Sequence, residues 1–220
     1  MDWKAVWLTL RLAASTTAIL LALGVPLAYW LATTRWRGRF LVEALVSLPI
    51  VLPPTVLGFY ILIAAGPQSP LGRVFESATG RMLPFTFEGI LLGSVLYNLP
   101  FAVRPFAAGF AGVDRRLVEA SWCLGVSRLG TFFRTILPLS WPGVLSGAVL
   151  TFAHAVGEFG VVLMVGGNIP GATRTLSIAI YDDVQALDYA SASTTALVLV
   201  LFSFLALSLA YSLGRRHWPS

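Results

Sequence analysis

Residues 118–140 read VEASWCLGVSRLGTFFRTILPLS, an arginine-bearing amphipathic stretch between two long apolar runs, 88–111 and 141–166. The apolar runs decide the fold class. About 20 mostly apolar residues suffice to cross a bilayer as a helix, and the runs 5–33, 40–65 and 191–213 also reach that length. The chain is 57% hydrophobic and only 11% charged, whereas a soluble domain is about 25% charged. We therefore expect an all-α, polytopic membrane helical bundle with five transmembrane helices, one transmembrane domain over 1–220. The connecting segments 34–39, 66–87, 112–140 and 167–190 hold no internal repeat and no separate soluble domain. Lys4 and Arg11 ahead of the apolar run Leu12–Leu31 imitate a signal peptide, but the run exceeds an h-region of about 7–15 residues. It reads as an uncleaved span.

The formal net charge is +5. A nucleic-acid binder gathers such charge on one face; here the basic residues sit between apolar runs, as membrane topology distributes them. Arg35, Arg37, Arg39, Arg115, Arg116, Arg128, Arg134, Arg215 and Arg216 fall on one side. Lys4, Arg11, Arg73, Arg81 and Arg174 fall on the other, with most of the acids: Asp2, Glu76, Glu88, Asp182, Asp183 and Asp188. The positive-inside rule then puts the N-terminus outside and the C-terminus in the cytoplasm. The single cysteine, Cys123, excludes an intrachain disulfide framework.

The spans contain breakers. LPIVLPPTVLGF (48–59) carries Pro49, Pro53 and Pro54, and YNLPFAVRPF (97–106) carries Pro100 and Pro105. Proline removes a helix hydrogen bond and bends the helix; within a bilayer the freed carbonyls need partners in the bundle or a wet cavity. Two readings fit: kinks for packing, or a path for solute along the second and third spans.

The opening stretch itself reads as two short helices. Asp114 is placed to cap the first, with Leu117, Ala120, Ser121 and Leu124 on one face. Gly125 suits a left-handed cap. Ser127 is placed to cap the second, where Leu129, Phe132, Phe133 and Ile136 repeat the spacing, and Pro138 marks a break before the next span. A basic amphipathic pair of this kind suits a lipid surface or the groove of a partner protein, and periodicity alone fits both.

The order Glu119-Ala120-Ser121, then Gly125, then Leu137-Pro138 resembles the EAA loop of ABC-importer permeases. Ser121 stands where that motif has a second alanine, and Thr135 where isoleucine is usual. With LPIVLPPTVLGF and GEFGVVLMVGGNIPGATRTLSIAIY (157–181), the chain resembles molybdate-type ABC permeases over nearly its whole length. The resemblance implies a type I ABC importer permease (MetI-like) fold, in the plasma (inner) membrane of a bacterium or archaeon. It implies a homodimer, two cytoplasmic ATPase subunits and an external substrate-binding protein. Glu119, Ala120, Ser121, Gly125, Leu137 and Pro138 would couple the chain to the ATPase. Sulfate or tungstate permeases are the related alternative; a stand-alone channel or secondary transporter is the alternative of another class.

No catalytic site and no metal site is expected. A P-loop needs a lysine after its glycines, and the sole lysine is Lys4; ATP and magnesium would be bound by the partner. His154 and Glu158, at i and i+4, are expected on one helix face. They suit a packing pair, a gate, or a metal or proton relay, though two ligands are too few for a closed zinc site. Phe159 belongs to the same EFG stretch. Arg104, inside the third span, either faces an anion or snorkels to the interface. Pro53, Pro54, Arg104, His154, Glu158 and Phe159 are therefore the candidates for the translocation path or gate. Segments 66–87 and 167–190 are expected to form the docking surface for the external binding protein, or else ordinary outer loops, with a short helix expected within 173–187 beside turns at Gly166, Gly167, Pro170 and Gly171.

Overall fold

The computed structural model describes residues 2–215, with side chains through Ser208. The side chains of Arg215 and Arg216, used above for the topology, lie outside the described residues. Helix α1 (Trp3–Thr33) opens on Asp2, whose carboxylate accepts from the Lys4 and Ala5 amides at 2.9 and 3.1 Å. Helices α2 (Arg39–Val51) and α3 (Pro54–Ala65) follow, then α4 (Pro70–Thr79) and α5 (Phe87–Ala111). Helix α6 (Arg115–Cys123) precedes a continuous helical run: α7 (Arg128–Thr131), a π-helical turn (Phe132–Ile136) and α8 (Leu137–Val156). Helices α9 (Gly160–Gly166), α10 (Leu176–Gln185) and α11 (Tyr189–Arg215) complete the bundle.

Among the described residues, four helical runs are long and apolar enough to cross a membrane, and the α2–α3 pair makes a fifth if it counts as one broken span. The run 40–65 is thus not a single helix. Its halves meet at 113°, because Leu52 precedes a proline and takes an extended conformation at ψ 136°, which the ring of Pro53 enforces. Pro54 then starts α3 at a position where its missing N–H costs nothing.

The run 141–166 also differs from expectation. It starts earlier, at Arg128, and it stops at Val156 before resuming at Gly160. Pro138 makes no break. Pro138 is the second residue of α8, directly behind the π turn, and the helix continues through it. Pro100 and Pro105 likewise leave α5 uninterrupted. Helix α4, capped by Ser69 through the Gly72 amide at 2.8 Å, was not anticipated.

Helices α1, α5 and α8 form the centre, where Leu20, Val103, Phe106, Phe110 and Val144 are buried together. Small residues let the backbones approach. A Cβ built on Gly143 would stand 2.7 Å from the Cα of Gly109, and one on Gly147 would stand 2.6 Å from the Phe106 ring. Lipid gives no hydrophobic drive between helices, so such close backbone packing is a main source of association.

Candidate functional site

A polar node lies inside the bundle between α5 and the α8–α9 break. Glu158 sits in that break, only 4% exposed. Its Oε2 accepts from the Ser94 hydroxyl at 2.7 Å and from the Asn98 amide at 2.9 Å. The Asn98 nitrogen also donates to the Ser94 carbonyl at 2.9 Å. With its nitrogen so directed, the Asn98 Oδ1 faces His154 Nδ1 at 2.9 Å. An amide oxygen only accepts, so Nδ1 carries the proton. Phe101 stacks on the His154 ring at 3.9 Å, and Tyr97 lies 5.2 Å from it.

His154 and Glu158 therefore do not face each other along one helix. Helix α8 ends at Val156, Glu158 lies past its end, and Asn98 bridges the two. Ser94 and Asn98 escaped the sequence reading. The available signal was an amide side chain inside an apolar run, a residue that demands a partner in a membrane. The second oxygen, Oε1, has no partner among the described residues.

The break is held from several directions. Phe159 packs with the buried Leu12, Ile90, Val162 and Ile178, and its ring lies 5.1 Å from Tyr181 of α10. Pro54, at the start of α3, sits against Gly160, where a Cβ would come within 2.7 Å of the proline Cβ. Helix α10 is tied to α1, because the Leu176 amide donates to Thr9 Oγ1 at 2.9 Å. Before α10, Arg174 pairs with Asp182 at 2.8 Å, and Asn168 bridges the two through its amide. Turns at Gly167 and Gly171 have φ of +63° and +76°. Pro53 lies at the α2–α3 bend, away from these bonds.

The segment between α5 and α8 is a helix–glycine–helix unit. Asp114 accepts from the Arg116 amide at 2.9 Å and caps α6. Gly125 takes φ +78°, while its amide donates to the Trp122 carbonyl at 2.9 Å and the Val126 amide to the Ser121 carbonyl at 3.1 Å, the Schellman pattern. Ser127 caps the second helix through the Gly130 amide at 3.1 Å. Ser121, which stands where the motif has a second alanine, has a positive role: its hydroxyl meets that of the buried Thr131 at 3.0 Å and joins the two helices.

The apolar face of the second helix is divided. Ile136 is buried and Phe132 packs 5.0 Å from Tyr29, whereas Leu129 and Phe133 are exposed. Leu117, Trp122 and Leu124 of the first helix region are exposed as well. Glu119 pairs with Arg115 at 3.3 Å on the exposed surface. Ala120 is exposed, Leu137 and Thr135 are half-buried, and Pro138 is exposed. Arg104 donates through Nε and Nη2 to the Ser47 hydroxyl of α2 at 3.2 and 2.8 Å, and it stays exposed.

A multi-pass helical bundle with interrupted helices around a buried polar node, and an exposed apolar helix pair at one end, has the build of a membrane-transport subunit. The chain belongs to the family of binding-protein-dependent transport system inner membrane components, whose model matches residues 24–218. It is therefore a multi-pass inner-membrane permease of the ABC-importer kind. It is 49% identical over 214 residues to the molybdenum transport system permease protein ModB of Azotobacter vinelandii, covering 97% of this chain and 95% of that protein. Against ModB of Escherichia coli K12 the identity is 34%, over 84% of this chain and 80% of the relative. A probable sulfate transport system permease protein of Chlorella vulgaris is 32% identical over 94% of this chain and 77% of its own.

Two solved structures share the fold. The MetNI methionine ABC transporter matches with a TM-score of 0.73 at 17% identity, over 100% of this chain and 97% of that one. A bacterial ABC transporter importing the acidic polysaccharide alginate matches with a TM-score of 0.76 at 15% identity, over 98% and 79%.

Proposed function

We propose that the chain is the permease subunit of an ATP-driven importer that passes molybdate, or a similar tetrahedral oxyanion, inward across the plasma membrane. The observation that carries the substrate is the 49% identity, across 97% of the chain, to a molybdenum transport permease. Two copies of the chain enclose the path. A cytoplasmic ATPase dimer binds ATP and magnesium and seats the helix–glycine–helix unit, with Leu124, Leu129 and Phe133 offered to its groove. Glu119, Ala120, Ser121, Gly125, Leu137 and Pro138 shape that unit and its junction with the bundle. An external binding protein delivers the anion to the face formed by α4 and α10. The N-terminus lies outside and the C-terminus inside, with α2 and α3 together counting as one broken span.

The fold supports a mechanical route. From Arg128 to Val156 the helical run is unbroken over 29 residues, about 43 Å at 1.5 Å per residue. Its docking end and its His154 end therefore move as one body. Glu158, His154 and Phe159 at the break, with Pro53 and Pro54 at the α2–α3 bend, form the gate region. ATP binding biases this two-state element from the cytoplasmic end, which is what coupling requires. Reconstitution with the cognate ATPase and binding protein tests the reading. ATP-dependent uptake of radiolabelled molybdate should appear, with tungstate competing and sulfate competing weakly. Uptake of sulfate in preference to molybdate would overturn the substrate, and uptake without the ATPase would overturn the drive.

A further inference from the structure

A second site lies away from the polar node. Helices α1, α2 and α5 line an open cavity of about 440 Å³, within the roughly 300–1,000 Å³ of small-ligand sites. Its walls include Leu31, Val46, Val103 and Ala107; its polar groups are Arg39, Glu43, Ser47 and Arg104. We propose that this cavity holds the phosphate headgroup of an anionic phospholipid, with Arg104 and Arg39 binding the phosphate and the apolar wall taking the start of an acyl chain.

Charge and position both support that occupant. Arg104 pairs with no carboxylate among the described residues; its contacts are to the neutral Ser47 hydroxyl, and Nη1 is uncommitted. Arg39 stands 3.7 Å from Glu43, with the two side chains 52% and 50% exposed. That contact is longer than a hydrogen bond and weak in solvent, so Arg39 is free to turn to a phosphate. The residues around the cavity suit a membrane interface. Trp30 and Trp36, 6.1 Å apart at the end of α1, mark the aromatic belt, and Arg35 and Arg37 flank them. Arg104 lies seven residues before the end of α5 at Ala111, about 10 Å along the helix. A long arginine reaches the headgroup layer from that depth. Basic cavities between transmembrane helices are a recognised setting for anionic headgroups. A free inorganic oxyanion gains nothing from four apolar walls, whereas a lipid matches walls and arginines together. The proposal does not depend on which ion the permease transports.

The test uses the purified, delipidated permease–ATPase complex and native mass spectrometry, titrating phosphatidylglycerol and phosphatidylcholine separately. Wild type should retain phosphatidylglycerol in preference to phosphatidylcholine. Arg104→Gln should weaken phosphatidylglycerol binding about fivefold, the worth of one interfacial cation, and Arg39→Gln should act similarly. Arg104→Lys should keep most of the preference, which separates charge from folding. Arg81→Gln, on the far segment, should leave it unchanged. Equal binding of the two lipids, or an unaltered preference in Arg104→Gln, overturns the proposal. So does displacement of phosphatidylglycerol by added molybdate, which would make the cavity part of the ion path. Disulfide crosslinking between two copies of Ala108→Cys also overturns it, because a second chain would then cover the cavity.

Discussion

Asn98→Ala probes the polar node most directly. Asn98 is 0% exposed and serves two partners in opposite directions. Its nitrogen donates to Glu158 Oε2 at 2.9 Å, and its oxygen accepts from His154 Nδ1 at 2.9 Å. Truncation leaves the His154 N–H orphaned and Glu158 with the Ser94 hydroxyl alone. An orphaned buried partner costs about 1–3 kcal/mol in soluble proteins, but side-chain pairs within membrane bundles average nearer 0.6 kcal/mol, with a maximum of about 1.7. One orphaned and one weakened partner together then predict a loss of about 1–3 kcal/mol. Reversible unfolding in mixed micelles, followed by tryptophan fluorescence, measures it. Leu201→Ala, on the exposed face of α11, is the reference for a side chain that touches no network. Ser94→Ala removes the other donor to Glu158. The Ser94/Asn98 double variant should cost more than the sum, since it leaves a buried carboxylate with no donor at all. An Asn98→Ala protein within about 0.5 kcal/mol of the Leu201→Ala reference would refute the node as a stabilising element.

Three further substitutions and one label test the surrounding argument. Gly125→Val forces a β-branched residue into φ +78° with nothing within 4 Å of its Cβ, so the penalty of at least about 1–2 kcal/mol is purely conformational; membrane insertion should persist while ATP-dependent transport falls, and full transport would contradict the coupling role. Gly160→Ala places a Cβ 2.7 Å from the rigid Pro54 ring and should destabilise by about 1–3 kcal/mol. Gly157→Ala, whose nearest neighbour would be 3.8 Å away, should be near neutral in the same unfolding assay; equal effects would show that α3 does not press on the break. Cys123 is exposed at the end of α6, so maleimide should label the permease alone and lose access when the ATPase is bound; labelling at the same rate in both would count against docking there.

The features legible in the sequence are those set by local chemistry. Asp114, Gly125 and Ser127 act in the structure where their side chains and backbone preferences put them, because a cap depends on a few neighbouring residues. The helical membrane fold was legible because hydrocarbon leaves the backbone so few ways to cross it. Failures came where a local rule met a longer-range one. Pro138 promises a break, yet it follows a π turn and the helix runs through. The spacing of His154 and Glu158 promises a shared face, yet the helix ends between them at Val156, beside Gly157. What replaces that pair is a contact between residues 60 and 64 apart in the chain, Asn98 and Ser94 with Glu158. Periodicity records only which face of one helix is apolar; it holds no record of which two helices bring their polar exceptions together. The exceptions themselves were visible, since an amide in one apolar run and a carboxylate at the end of another each need a partner where water is absent. Two such demands in neighbouring spans are satisfied most cheaply by each other, and that pairing of unmet needs, rather than spacing within a helix, is the reasoning that reaches the node.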